Sequence, residues 1–365
     1  MSLIDQEVTE LRAKCEKQVP HTKIIICSNS LIRVDIFPER PNRSMTVCLR
    51  FPENYPTSTP ILVELKSRVY SDLLLTELTR LIDDYARDFL GKPQALLVLT
   101  FAQQYLSDNP LCVCLDEIKQ LRADIKAGGT ESQLKLKQKN RSVELVAKGG
   151  PYIYRVTAVV PDSYPMQSVD LRGQESNLPA VLVRYLNGQS REIARQCVEP
   201  PIRMSKEALA NFRPVRSLQR SLKFCLEAAR DFHIEFCPIC DSTVLPEDPQ
   251  DIETDDNSDF FIERVYCGHL FHQGCLKKYL SEPPFPKGGK LCPAKRRHPR
   301  SDAQTYMGRP QAGGGASVSR SPEDVVCGIK LAHDRWVVSV KTAEARWAQK
   351  QARQRELEEV VDFLQ

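Results

Sequence analysis

No apolar run in this 365-residue chain reaches the ~18–20 residues that a membrane-crossing helix needs, which argues against a helical span. Residues 1–12 carry acids early and show no apolar stretch ending in a small-residue cleavage site, so no secretory signal is expected there. Neither sign of charge prevails: 51 basic residues against 47 acidic leave +4, too near balance to argue for a nucleic-acid partner. What is present is enough apolar matter for a core. Hydrophobic residues make up 41% and charged residues 27%, which excludes wholesale disorder, and the length points to two or three compact units.

Cysteine is the exception to this ordinary composition. There are thirteen, an odd number, and without an export signal they argue against a disulfide framework and for the cytoplasm, the nucleus or both, where thiols stay reduced. Seven are scattered (Cys15, Cys27, Cys48, Cys112, Cys114, Cys197 and Cys225) and read as small hydrophobic core residues. The other six lie between Cys237 and Cys327, interleaved with His269, His272 and His298.

The apolar periodicity predicts an α+β class. Residues 3–18 have helical spacing, 24–27, 32–37 and 45–51 read as a strand meander, and 61–65 as a further strand. Helical patterns follow at 71–90 and 94–107. A similar order then recurs: helix 115–125, strands 134–147 and 152–160, helix 178–196, and a helical tract 205–232 interrupted by Pro214. In both halves a strand leads into Pro-x-x-Tyr-Pro, at Pro52 to Pro56 and at Pro161 to Pro165. Proline fixes φ near −65° and holds its predecessor extended, so each Tyr-Pro sets a rigid turn that can aim a ring inward.

The first loop, Phe51-Pro-x-x-Tyr55-Pro56-x-x-x-Pro60, resembles the signature of RWD domains, the inert relatives of ubiquitin-conjugating enzymes. The second keeps Tyr164-Pro165 but has Val169 where the first has Pro60. The resemblance implies one or two RWD-like domains, 1–110 and 111–235. Neither should carry ubiquitin, because the His-Pro-Asn stretch that accompanies an active cysteine is missing and the one His-Pro is His298-Pro299.

The densest chemistry is Cys237-Pro-Ile239-Cys240, then Cys267-Gly-His269-Leu-Phe-His272-Gln-Gly-Cys275, then Cys292-Pro293. Thiolates and neutral imidazoles bind zinc tetrahedrally, and a two-residue gap lets both members of a pair approach one ion, so four pairs in series can build two sites. The spacing resembles a cross-braced RING finger with histidine at the fourth and fifth ligand positions, here placed in a domain spanning 236–336. That family's arrangement implies two zinc ions, one held by Cys237, Cys240, His272 and Cys275, the other by Cys267, His269, Cys292 and an eighth ligand. The expected eighth position holds Lys295, which cannot ligate zinc when protonated. Residues 295–326 have no periodicity, with Lys-Arg-Arg at their start and Gly313-Gly314-Gly315 within, and read as an insertion. Removing them restores Cys292-Pro-Ala-Cys327-Gly328. Cys327 is therefore the leading candidate, with His298 or an incomplete second site as alternatives.

By the same resemblance, such a domain docks a ubiquitin-charged conjugating enzyme in an apolar groove, here Ile239, Leu276, Tyr279 and Pro293, and promotes transfer to a substrate lysine. No residue of this chain would form a covalent intermediate. The layout is similar to that of RWD–RING ubiquitin ligases, the Fanconi anaemia core-complex ligase among them. In this reading the RWD-like domains bind substrate or adaptor. The basic residue that often follows the last ligand in that family is absent, since Gly328 stands there, so a non-catalytic zinc-binding scaffold is the alternative. Three other features are read more plainly. The acidic stretch 247–259 lacks the order and central glycine of a calcium loop. The basic run 295–300 reads as a solvated segment. The C-terminal helix, 337–365 by domain and 342–364 by pattern, completes the zinc domain.

Overall fold

The structure is a computed structural model that describes residues 3–37, 43–129, 131–201, 205–294, 327–331 and 336–364. Val8, Leu11 and Cys15 lie one helical turn apart, and α1 (Leu3–Gln18) buries that stripe. Strands β1 (Thr22–Cys27), β2 (Ile32–Ile36), β3 (Met45–Arg50) and β4 (Leu62–Lys66) then form an antiparallel sheet in chain order. Ile32, Val34 and Ile36 on β2, with Met45, Val47 and Leu49 on β3, are fully buried, whereas Arg33 and Asp35 point to the other face, as the two-residue period of a strand requires. Helices α2 (Asp72–Arg87) and α3 (Ala95–Asp108) cover the apolar face. Ser71 starts α2 by accepting a hydrogen bond from the Leu74 amide, and Leu74, Leu78, Ile82 and Ala86 form its buried stripe.

The order repeats. After α4 (Leu115–Ala127) come β5 (Gln133–Lys137), β6 (Ser142–Gly149), β7 (Tyr152–Val159) and β8 (Asp170–Ser176), again one four-stranded sheet in chain order. Helices α5 (Ala180–Val198), α6 (Lys206–Asn211) and α7 (Leu218–Asp231) follow. One expectation is corrected and one strand is added. The 134–147 pattern is two strands folded back on each other through a turn at residues 138–141, where Arg141 has φ +50°. β8 went unread, because its polar sequence carries little apolar alternation. The rest of the chain supplies β9 (Ile262–Arg264), β10 (Leu270–His272), α8 (Gln273–Ser281) and α9 (Val337–Leu364). The α+β class is as expected, and no described helix is long and apolar enough to cross a membrane.

Two compact units divide the chain differently from the boundaries read in the sequence. One comprises Met1–Ala147, Arg155–Gln174 and Asn187–Leu226; the other comprises Lys148–Tyr154, Glu175–Leu186 and Glu227–Gln365. The expected boundaries near 110, 235 and 336 each fall inside a unit. Within the first, Arg43 is buried and donates to the carbonyls of Pro110 (2.9 Å), Pro161 (3.0 Å) and Asp162 (3.3 Å). Arg216 in turn donates to the Val69 carbonyl. Each sandwich thus lends a cation to carbonyls of the other.

The two Tyr-Pro loops serve one design. Tyr55 donates a 2.6 Å hydrogen bond to Glu7, whose other oxygen accepts the Gln94 and Ala95 amides at the start of α3. Tyr164 donates a 2.6 Å bond to Glu117, whose other oxygen accepts the Gln219 amide, and the phenol oxygen takes the Ser217 and Leu218 amides at the start of α7. A helix start has unpaired N–H groups and a positive dipole end, so a buried carboxylate there satisfies both. The Ile61 amide is held by Gln94 and the Val169 amide by Ser217. Val169 is therefore the counterpart of Ile61, and the second loop is one residue shorter, which is why a residue-by-residue match to Pro60 misaligns it.

Candidate metal centre

Four short elements bring the Cys and His residues together. Phe236 bridges Thr243, and the Cys237 amide donates to the Ser242 carbonyl (2.8 Å), closing a tight hairpin with Cys237 and Cys240 at its tip. Asp241 turns that tip with φ +55°. β9 and β10 form a second hairpin whose turn holds Cys267 and His269, with Gly268 at φ +91°. From there β10 runs to His272. His269 and His272 are three positions apart on extended chain, so they face opposite sides, while Leu270 and Phe271 between them are buried. His272 caps the start of α8, and Cys275 stands in the helix's first turn, three residues on.

The last pair depends on a ladder formed across a long gap. The Leu331 amide donates to Lys290 (2.9 Å), the Cys292 amide to Ile329 (2.8 Å) and the Cys327 amide to Ala294 (2.7 Å). Residues 290–294 and 327–331 thereby run antiparallel, and the chain leaves and re-enters at one point. Gly328 has φ +64°, so the third turn has a left-handed residue directly after a cysteine, as the other two do.

Two clusters result. Cys237, Cys240, His272 and Cys275 form one, and Cys267, His269, Cys292 and Cys327 the other; in each the ligand atoms lie within 4.8 Å of one another. His272 Nδ1 is 3.4 Å from Cys240 Sγ, and His269 Nδ1 is 3.2 Å and 3.5 Å from the sulfurs of Cys267 and Cys292. Burial pushes the thiols of Cys275 and Cys292 up to about 12. A cation among them would reverse this, since a coordinated thiol loses its proton. Each cluster could hold one metal ion. His298 and the 295–326 segment lie outside the described residues.

The expected docking residues separate. Ile239 is half-buried at the first hairpin tip, and Tyr279 and Pro293 are half-buried around the third. Tyr279 donates to the Leu291 carbonyl (2.9 Å), which ties α8 to the ladder. Leu276 is corrected: it is fully buried, so its side chain packs the small core and offers no surface. Sequence reading missed Lys290, which is buried and donates to the carbonyls of Tyr279 and Glu282, its ammonium 4.6 Å from the Tyr279 ring centroid. Desolvation lowers its pKa. A lysine beside two glycines gives no such signal. α9 packs against α8, with Trp347 meeting Phe285 edge-on at 5.7 Å. No protein-family model and no curated protein matches the chain.

Proposed function

We propose that the chain is a RING-type ubiquitin ligase that binds two zinc ions, docks a ubiquitin-charged conjugating enzyme and promotes transfer to a substrate lysine. The observation that carries this reading is the interleaved ligand order: the first and third pairs converge in one cluster, the second and fourth in the other. Three cysteines and one histidine per cluster suit zinc, for which bonds near 2.3 Å to sulfur and 2.0–2.1 Å to nitrogen put ligand atoms about 3.5–3.8 Å apart in a tetrahedron. With four protein ligands each, the ions are structural and leave no open position for water or substrate.

Catalysis by this chain is then a matter of holding the charged enzyme and acceptor together, and needs no nucleophile of its own. Ile239, Tyr279 and Pro293 keep the exposure a docking face requires. The two sandwiches, with their shared Tyr-Pro loops, are read as inert RWD-like domains that bind substrate or adaptor, in the cytosol or nucleus where thiols stay reduced. The test is a chain-formation assay with activating enzyme, a panel of conjugating enzymes, ubiquitin and ATP. Ile239→Ala should abolish transfer while zinc content stays at two ions. If the wild-type chain supports no transfer with any enzyme of the panel, the scaffold reading replaces this one.

A further inference from the structure

The second cluster has an electrostatic requirement that its own ligands do not meet. Three thiolates and a neutral imidazole around a divalent ion carry a net charge of −1, and such a site gains from a nearby cation. Arg264, the last residue of β9, lies against the turn that bears two of those ligands: a methyl group on Gly268, between Cys267 and His269, would stand 3.2 Å from Arg264 Nη2. The guanidinium is also pinned from its other side. Its Cζ is 3.5 Å from the ring centroid of Tyr185 on α5, and Tyr185 meets Phe232 edge-on at 6.4 Å. Flat stacking of this kind suits guanidinium and not ammonium.

We propose that Arg264 is a positioning residue for the second metal ion, held beneath the Cys267–His269 turn by the face of Tyr185, so that the affinity of that ion depends on a helix outside the cysteine-rich segment. The proposal rests on the reading that Cys267, His269, Cys292 and Cys327 hold zinc. Tyr185, Arg264 and the second cluster belong to one compact unit, within which the Tyr152 hydroxyl also donates to the Pro246 carbonyl. Zinc affinity and the order of α5 are thereby linked, and linkage is reciprocal.

The test is stepwise zinc removal from the full-length chain with a chromogenic chelator, the release step of the second site being identified with Cys327→Ser. Outer-shell substitutions commonly lower metal affinity about 10–100-fold, and Arg264→Ala should do so for the second ion while the first is released as in wild type. Arg264→Lys, which keeps the charge and the fold, should recover part of the loss. Tyr185→Leu should weaken the second ion, whereas Tyr185→Phe, which keeps the ring face, should not. Stripping the second ion should speed hydrogen exchange in the first turns of α5. Equal weakening of both ions, or of neither, would overturn the positioning role. A wild-type chain that holds no second ion would overturn the metal reading itself, and this is seen before any variant is made.

Discussion

The amide of Cys327 donates to the carbonyl of Ala294 at 2.7 Å, so the residues that flank 295–326 are neighbours in space.

Three metal counts follow. Native mass spectrometry should find two zinc ions on the full chain, and one firmly held ion on Cys327→Ser. A chain lacking 295–326 should hold two more tightly, because Ala294 would join Cys327 directly. Structural zinc contributes on the order of 10–16 kcal/mol in small domains, so losing one thiolate should be conspicuous. Two ions of unchanged affinity on Cys327→Ser would remove that residue from the site.

Zinc uptake should release protons. Each cluster contains three cysteines, and burial holds Cys275 and Cys292 far above neutrality until a cation is bound. At least one proton per ion should appear in calorimetry repeated in buffers of different ionisation enthalpy, and affinity should rise with pH. Uptake without proton release would show that the thiols are not the ligands.

Glu117 gives a second pH dependence of known sign. Burial raises its pKa, outweighing the hydrogen bonds from Tyr164 and Gln219. A carboxyl raised on folding contributes stability that is complete below its unfolded value and lost as pH climbs through the folded one. The melting temperature of wild type relative to Glu117→Gln should therefore fall as pH rises above the ordinary carboxylate range. Glu117→Leu, which orphans an amide and a phenol, should destabilise by about 2–3 kcal/mol in urea unfolding. A difference that is flat with pH would contradict this account.

Gly149 meets a harder limit. A Cβ there would collide with the Ala229 carbonyl oxygen and lie 2.8 Å from that of Arg230, both backbone atoms that cannot rotate away. Gly149→Ala should destabilise the chain by about 1–3 kcal/mol, read as a lowered unfolding midpoint. An unchanged midpoint would mean that β6 and α7 separate without penalty.

The two Cys/His clusters were legible because the spacing within each pair is local: Cys237 with Cys240, or His272 with Cys275, falls within one turn of chain. Cys327 was reached only by removing a segment on paper, and its place beside Ala294 is set by backbone pairing, which side-chain pattern does not encode. The Tyr-Pro loops were visible, yet their partners were not. Glu7 and Glu117 sit on helices where a glutamate ordinarily reads as solvated, and the amides they accept lie about a hundred residues away. Arg264 was hidden for the same reason, since Tyr185 is distant in sequence and nothing around either residue announces a stack. Leu276 was misread because an apolar residue after a ligand fits a surface as well as a core.

β1 is an outer strand, and its exposed Ile25 and Ile26 stand beside a bulge in its pairing with β2. Two polar side chains of α1 occupy its free backbone: Glu16 accepts from the Ile24 amide, and Arg12 donates to the Cys27 carbonyl. An open edge of this composition is a template on which further chains can add. Two surface residues of the first helix thus cover backbone groups that a second chain would otherwise pair with. A chain with both replaced by alanine should associate more readily than the parent, read as increased light scattering at equal concentration.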